Sequence, residues 1–426
     1  MPTIKEFEQL TLPNGLRVVL APLTSFKSVT AIVLCGAGSR YETKNTNGIS
    51  HFLEHMFFKG THKRPSAMDI SHDLDAIGAD YNAFTGKEST AYHIKSASQH
   101  LPLLLDMLSD MLWNSKFDLA EIEKERGVII EEINLYQDTP ARRVAEIYEQ
   151  VLWGDQPLGW DIGGEKDVIR KVTREDFADY IKARYVPSNV VLAIAGHYDR
   201  KHVGDLISRH FGKKIEGTAP TFLPVVEKQN KPALRVLYKK TDQAHLVVGF
   251  RSLAASDPDR YVLAVLGTIL GGGMSSRLFV NVREKRGLAY YVRAGADGYH
   301  DTGTLAAAEG VDLKRIDEAL KVTLDEFVKI GKHRVEAKEL NKAKEYIKGG
   351  IALSWEDSRS VALGYGSDEL FEGKIRSQDE YIKGIDLVTP DDVLRVAQFL
   401  VTNSKLNLAV IGPFKDPLRF QKLLKV

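Results

Sequence analysis

Segments of this chain repeat one another at a nearly fixed distance, and that repeat constrains the fold more than any other feature. Val190–Gly196 reads VVLAIAG and Leu406–Gly412 reads LNLAVIG, an offset of 406 − 190 = 216 residues. The offset of 216 also relates Val172-Thr173 (VTREDF) to Val388-Thr389 (VTPDDV), and Ser28–Leu34 (SVTAIVL) to Ala244–Phe250 (AHLVVGF). Leu16–Val19 pairs with Leu234–Leu237 at 218. Length alone would allow two to four domains in 426 residues. The repeat reduces this to two homologous halves, expected at 1–217 and 233–426. The linker between them, 218–232, falls in a Pro/Gly-punctuated stretch from Gly212 to Pro232.

Each half mixes strand and helix patterns. Gly15–Pro22, Ser28–Leu34 and Val190–Ala195 have strand character, and Ala79–Ser96 reads as a hairpin turning at Thr85-Gly86-Lys87. Helical spacing runs through Gly48–Phe58, Ala67–Ile77, Ser98–Trp113, Asp118–Tyr136 and Thr173–Ala183. Gly60 and Gly78 serve as stops, Asp118 as an N-cap, and Thr173 with Asp176 as a capping pair. This order predicts an α+β fold: two homologous α/β-sandwich domains, each a mixed, mostly antiparallel sheet with helices packed on one face.

Composition removes several functions. Lys+Arg 58 against Asp+Glu 57 gives a net charge of +1, with no basic excess for gripping a polyanion, so nucleic acid is not expected as a partner. No apolar run reaches the ~18–20 residues of a membrane span. The single cysteine, Cys35, rules out a disulfide framework and a cysteine zinc cluster, and it is expected as a small buried residue in a strand. The N-terminus, MPTIKEFE, lacks the pattern of a secretory signal or transit peptide, so a cytoplasmic location is expected.

The chemistry concentrates in His51-Phe52-Leu53-Glu54-His55. On a helix, residues four apart share a face, so His51 and His55 aim two imidazoles at one point, a donor pair suited to zinc. Glu54 borders that face, where a carboxylate can take a proton from a metal-bound water. The order H-x-x-E-H is the reverse of the commoner H-E-x-x-H. A catalytic zinc needs a third protein ligand, and Glu121–Glu132 (EIEKERGVIIEE) offers candidates. Glu125 and Glu132, seven apart, share a helical face, while Glu131 points roughly 100° from Glu132. Such a pair can supply one ligand and one outer support. His62, His72, His93 and His100 lack a partner at ligand spacing, and Trp113 and Trp153 read as core. Gly271-Gly272-Gly273 is no phosphate loop, because no Gly-Lys-Ser/Thr follows.

HFLEHMFFKGT followed by ERGVIIEE resembles the pitrilysin family of zinc peptidases, which includes pitrilysin, insulysin and the mitochondrial processing peptidases. The family signature is HxxEH, 76 intervening residues, then Glu; residues 56 to 131 number 76 and lead to Glu132. The resemblance implies one zinc ion held by His51, His55 and Glu132, Glu54 as general base, and Glu125 as the second glutamate that supports catalysis. It covers nearly the whole chain. Tyr81–Thr85 with Glu88–Tyr92 is similar to the strand beside the zinc, implying that Asn82, Ala83 and Phe84 pair with substrate backbone. Ser275–Phe279 with Val282–Tyr290 is similar to the C-terminal signature, implying that Arg283 and Tyr290 reach the bound peptide.

At offset 216, His51 maps to Gly267, Glu54 to Leu270 and His55 to Gly271, so the second half is expected to bind no metal there. The implied activity is hydrolysis of peptide bonds in unfolded peptides or small polypeptides. Family members enclose substrate between two clam-like halves, each of two related domains. This chain supplies one such half, and a homodimer, or a heterodimer with a related subunit, would complete the chamber.

Overall fold

A computed structural model of the protein describes residues 6–213 and 217–426. Residues 1–5, which carry part of the N-terminal reading, and Lys214–Glu216 of the Gly212–Pro232 stretch lie outside the described residues. The chain forms two compact units. The first comprises Met1–Ile133, Trp160–Leu223 and Leu353–Ser377, and the second Asn134–Gly159, Pro224–Ala352 and Gln378–Val426.

The first unit is built on six strands, β1 (Glu8–Thr11), β2 (Arg17–Pro22), β3 (Ser28–Cys35), β4 (Asp80–Thr85), β5 (Thr90–Ala97) and β6 (Val190–Gly196), in the order β1-β2-β6-β3-β5-β4. Only β2 and β6 run parallel; the other neighbours are antiparallel. In the second unit β7 (Ala233–Tyr238), β8 (Gln243–Ser252), β9 (Ala289–Gly298), β10 (Gly303–Asp312) and β11 (Leu406–Gly412) take the order β7-β11-β8-β10-β9, with only β7 and β11 parallel. Apart from β1, the two sheets share one topology, as a duplicated α+β fold requires.

Strand registers correct the repeat offsets. Arg17 pairs with Val191, and Ala233 with Asn407, so β2 maps to β7 at 233 − 17 = 216 rather than 218. Cys35 pairs with Val190, and Phe250 with Leu406, so β3 maps to β8 at 250 − 35 = 215 rather than 216. The single residue matters because a one-residue slip turns every side chain to the opposite face. Val29, Ala31, Val33 and Cys35 face the main core of the first unit, and Ala244, Leu246, Val248 and Phe250 that of the second.

Both faces of each sheet are apolar. Along β6, Val190, Leu192 and Ile194 join the main helical core, whereas Val191, Ala193 and Ala195 join a second cluster on the other face. That second cluster is closed by Val361, Ala362 and Tyr365 of the helix Ser358–Glu372. The second unit mirrors this arrangement: Val247, Ala409 and Ile411 pack against Val144, Ile147 and Tyr148 of the helix Pro140–Trp153. Each sheet therefore takes its outer cover from the opposite half of the chain. This is why the contiguous division at 1–217 and 233–426 does not describe the compact units: it assumes that each repeat buries its own sheet. The 218–232 stretch carries no helix or strand before Ala233, yet it is tied down. Val225 N–H donates to Asp301 at 2.8 Å and Val226 N–H to Gln156 at 2.9 Å.

Where the first unit carries its two histidines, the second has a close-packed seam. The helix Arg260–Gly271 contains no His, Asp, Glu or Cys, and a Cβ at Gly271 would stand 2.0 Å from Ala294 N of β9. Gly271→Ala is expected to destabilise the fold by about 1–3 kcal/mol through overpacking. Gly349→Ala, at an exposed helical position whose Cβ would meet nothing within 4 Å, is expected to stabilise it by about 0.5–1 kcal/mol. Chemical denaturation of the two variants checks the contrast.

A buried carboxyl on β10 sets a second expectation. Glu309 is fully buried; Thr323 Oγ1 donates to its Oε1, and its Oε2 has no hydrogen-bond partner among the described residues. Burial pushes its pKa from 4.5 up to about 7, against the opposing Thr323 hydrogen bond. The folded state thus holds the proton more tightly than the unfolded chain. This contribution is full below about pH 4.5 and is lost as pH rises through about 7. Glu309→Gln removes it, so the variant is expected to gain about 3 kcal/mol relative to wild type between about pH 4 and about pH 8, measured by urea unfolding.

Candidate metal centre

The helix α1 (Ile49–Met56) forms because Ile49, Phe52, Leu53 and Met56, spaced on one face, are buried in the core. That leaves His51, Glu54 and His55 on the partly exposed side. Its N-terminus has no local side-chain cap: Gly48 adopts φ +95°, and a Cβ there would meet Gly163 O at 2.6 Å. Glu42 supplies the cap from outside. Gly48 N–H donates to its Oε2 at 2.7 Å, Ser50 N–H to its Oε1 at 2.9 Å, and Asn47 Nδ2 to Oε2 at 3.0 Å. Burial raises the pKa of Glu42 despite these hydrogen bonds.

The helix Leu119–Asp138 faces α1 with the two glutamates seven apart. Asp118 caps it, accepting from Ala120 N–H at 2.9 Å. His51 Nε2 and His55 Nε2 lie 3.2 Å apart, and Glu132 Oε2 lies 3.6 Å from each. Among the described residues this is the one group of three or more metal-type side chains whose donor atoms converge, all within 4.8 Å. Glu131 is exposed and outside it.

The surrounding contacts orient the group. His55 Nδ1–H donates to Glu125 Oε1 at 2.8 Å, which turns Nε2 toward Glu132. Lys59 Nζ holds Glu125 Oε2 at 2.6 Å. Thr85 Oγ1, at the end of β4, donates to Glu54 Oε2 at 2.5 Å. Burial, joined by the charge of His55, lowers the pKa of His51 to about 4 against the pull of Glu132. Burial also opposes charge on His55, but the Glu125 hydrogen bond and the carboxylates of Glu54, Glu125 and Glu132 raise its pKa above 6.5. Burial lifts Glu54 above the ordinary carboxylate value of 4.5, against the Thr85 hydrogen bond. Burial also presses upward on Glu125, but hydrogen bonds from His55 and Lys59 outweigh it and the pKa falls.

The remaining sequence-predicted residues fall into two places. Asn82, Ala83 and Phe84 lie on β4, the terminal strand of its sheet, paired with β5 on one side only among the described residues; Asn82 and Phe84 are exposed. Arg283 and Tyr290 belong to the second unit. Arg283 sits in the wide helical turn Phe279–Glu284, its guanidinium 5.0 Å from the Phe279 ring and 5.6 Å from the ring of Tyr290, which is 74% exposed. Cys35 is buried, and Trp153 belongs to a core cluster. The sequence singles out neither Glu42 nor Lys59, and Thr85 only as a turn residue at the end of the strand beside the zinc. Of the first two, only Lys59 carries a signal there: it follows His51 and His55 at a further interval of four.

Comparison with known proteins identifies the family and the fold. Residues 17–166 match the family described as insulinase (peptidase family M16), and residues 171–347 the family described as peptidase M16 inactive domain. An uncharacterized zinc protease of Streptomyces coelicolor is 37% identical over 412 residues, covering 95% of this chain and 89% of that protein. Another, of Bacillus subtilis, is 36% identical over 406 residues, covering 95% and 98%. The fold is that of a solved protease from Helicobacter pylori, at TM-score 0.90 and 23% identity over 96% of this chain and 99% of that one. It is equally that of a peptidase M16 inactive domain from Pseudomonas fluorescens, at TM-score 0.89 and 18% identity over 96% and 98%. The duplicated fold, the H-x-x-E-H helix and these matches together identify the chain as a member of peptidase family M16, the insulinase or pitrilysin-like family.

Proposed function

We propose that this protein is a zinc-dependent endopeptidase that holds one zinc ion through His51, His55 and Glu132. One observation carries the reading. Donor atoms about 2.0–2.2 Å from a tetrahedral centre stand about 3.3–3.6 Å from one another. The two Nε2 atoms and Glu132 Oε2 stand 3.2, 3.6 and 3.6 Å apart, close to that spacing, so two neutral imidazoles and a carboxylate suit a zinc ion. A zinc ion bound there supplies Lewis acidity toward a carbonyl oxygen and a water molecule.

The protein's own groups do the rest. Glu54, one residue before His55 and fixed by Thr85, takes a proton from the attacking water and delivers it to the leaving amine. Its raised pKa brings it nearer the neutral range in which it must both accept and release that proton. Glu125 holds the His55 tautomer. The open edge of β4 around Asn82, Ala83 and Phe84 offers main-chain hydrogen bonds to an extended peptide, a mode with weak side-chain demands. That fits unfolded peptides or small polypeptides as substrates. Arg283 and Tyr290 act as further donors to a bound peptide carbonyl. A homodimer closing a chamber is part of the same reading, because one chain carries both the histidine pair and the Arg283/Tyr290 pair. The names of the relatives, zinc proteases, support the reaction class.

Cleavage of a quenched-fluorescent peptide tests it. Wild type is expected to cleave and to stop on chelation. Glu54→Gln is expected to keep about one zinc per chain and lose roughly 100-fold to 10,000-fold in rate. His51→Ala, His55→Ala and Glu132→Ala are expected to lose the metal. Wild-type rates in Glu54→Gln would remove its assignment as base, and zinc-loaded wild type inactive on all peptides would favour an accessory subunit.

Metal removal has its own signature. In metal-free protein His51 is expected to stay neutral until pH falls to about 4, while His55 keeps its proton above 6.5. Zinc uptake near pH 6.5 should therefore release a proton from His55. Histidine NMR titration and proton-release measurements on zinc addition check both.

A further inference from the structure

We propose that Lys59 is a positioning residue of the metal site: its ammonium fixes one oxygen of Glu125 so that the other oxygen fixes His55. The inference rests on the zinc assignment above and extends it by one residue.

The placement comes from spacing. His51, His55 and Lys59 follow at intervals of four, and Glu125 and Glu132 are separated by seven on the facing helix. His51 and His55 meet Glu132, and His55 and Lys59 meet Glu125. Beyond Met56 the chain leaves α1 but keeps Lys59 in line, with Lys59 N–H donating to Met56 O at 3.1 Å. It then turns sharply at Gly60, at φ +123°, where a Cβ would meet Pro65 O at 2.5 Å. Lys116 N–H donates to Gly60 O at 3.1 Å, tying this turn to the residues leading into the glutamate helix.

The division of labour at Glu125 is explicit. Its side chain is 4% exposed and its two oxygens serve different partners: Oε1 accepts from His55 Nδ1 at 2.8 Å and Oε2 from Lys59 Nζ at 2.6 Å. A buried carboxylate facing only a neutral imidazole would lack a compensating charge. Lys59, 23% exposed, supplies that charge while keeping contact with solvent. Without it, Glu125 is free to rotate and the His55 ring loses its fixed orientation. Partners that orient a metal-ligating histidine typically contribute 10-fold to 100-fold to metal affinity.

Zinc affinity, measured by competition with a chromophoric chelator, tests this on wild type, Lys59→Met, Lys59→Arg, Glu125→Gln and the double variant K59M/E125Q. Thermal unfolding confirms folding of each. Lys59→Met is expected to weaken zinc about 10-fold, Lys59→Arg to retain most of the affinity, and Lys59→Met to add little loss once Glu125 is already Gln. Wild-type affinity in Lys59→Met, or an equal loss from that change in the Glu125→Gln background, would overturn the inference. If Lys59→Met does not fold, Lys59→Gln takes its place in the same cycle. A wild-type protein that takes up no zinc would instead overturn the metal assignment itself.

Discussion

A sheet that is apolar on both faces must be covered on both faces, and most of this architecture follows from that demand. The central strands β3, β6, β8 and β11 are buried almost end to end. Helices local to each half shield one side. The other side is shielded by Pro140–Trp153 or Ser358–Glu372, each drawn from the opposite half. Gly366 shows how close this second contact is: a Cβ there would stand 2.6 Å from Leu34 Cδ1. Hydrophobic burial therefore interleaves the two repeats within the units that they form.

The candidate metal centre depends on the same economy of faces. Helix α1 commits four apolar residues to the core, which leaves His51, Glu54 and His55 on its partly exposed side. Charges then accumulate at a half-buried seam, where each needs a partner. Glu42 meets backbone donors, Glu125 meets His55 and Lys59, and Glu54 meets Thr85. His51, His55 and Glu132 instead meet one another, three electron-pair donors around a common point. The duplicated unit solves the corresponding seam with glycines packed on β9, which leaves no room for such a group.

Much of this was legible in the sequence, and the reasons differ by residue. The α+β class, the hairpin of β4 and β5, and the helices carrying the motif residues follow from local periodicity, which needs no tertiary information. The choice of Glu132 over Glu131 follows from helical angle and from the family spacing together. The repeat was visible, but its register at β3 was not. SVTAIVL and AHLVVGF are apolar at successive positions on both faces, so a shift of one residue leaves the pattern nearly unchanged, and hydrogen-bond pairing is needed to place it. Helix exchange was hidden for a related reason: a helix shows which face is apolar, not which sheet it meets. Glu42 was hidden because it caps α1 from six residues before Gly48, outside the usual capping spacing.

The helix exchange also orders events in time as the chain is made. When β6 is complete at Gly196, the sheet bearing the histidine helix has all six of its strands, but its outer face still lacks Ser358–Glu372. The start of that helix lies 358 − 196 = 162 residues further on. At synthesis rates of about 5–20 residues per second, roughly 8–32 s pass before it emerges. During that interval Val19, Ile32, Leu34, Val191 and Ala193 lack their final cover. Completion of the unit that carries the candidate centre is thereby linked to synthesis of most of the second repeat, so a ribosome stalled in between leaves a nascent chain with an uncapped sheet.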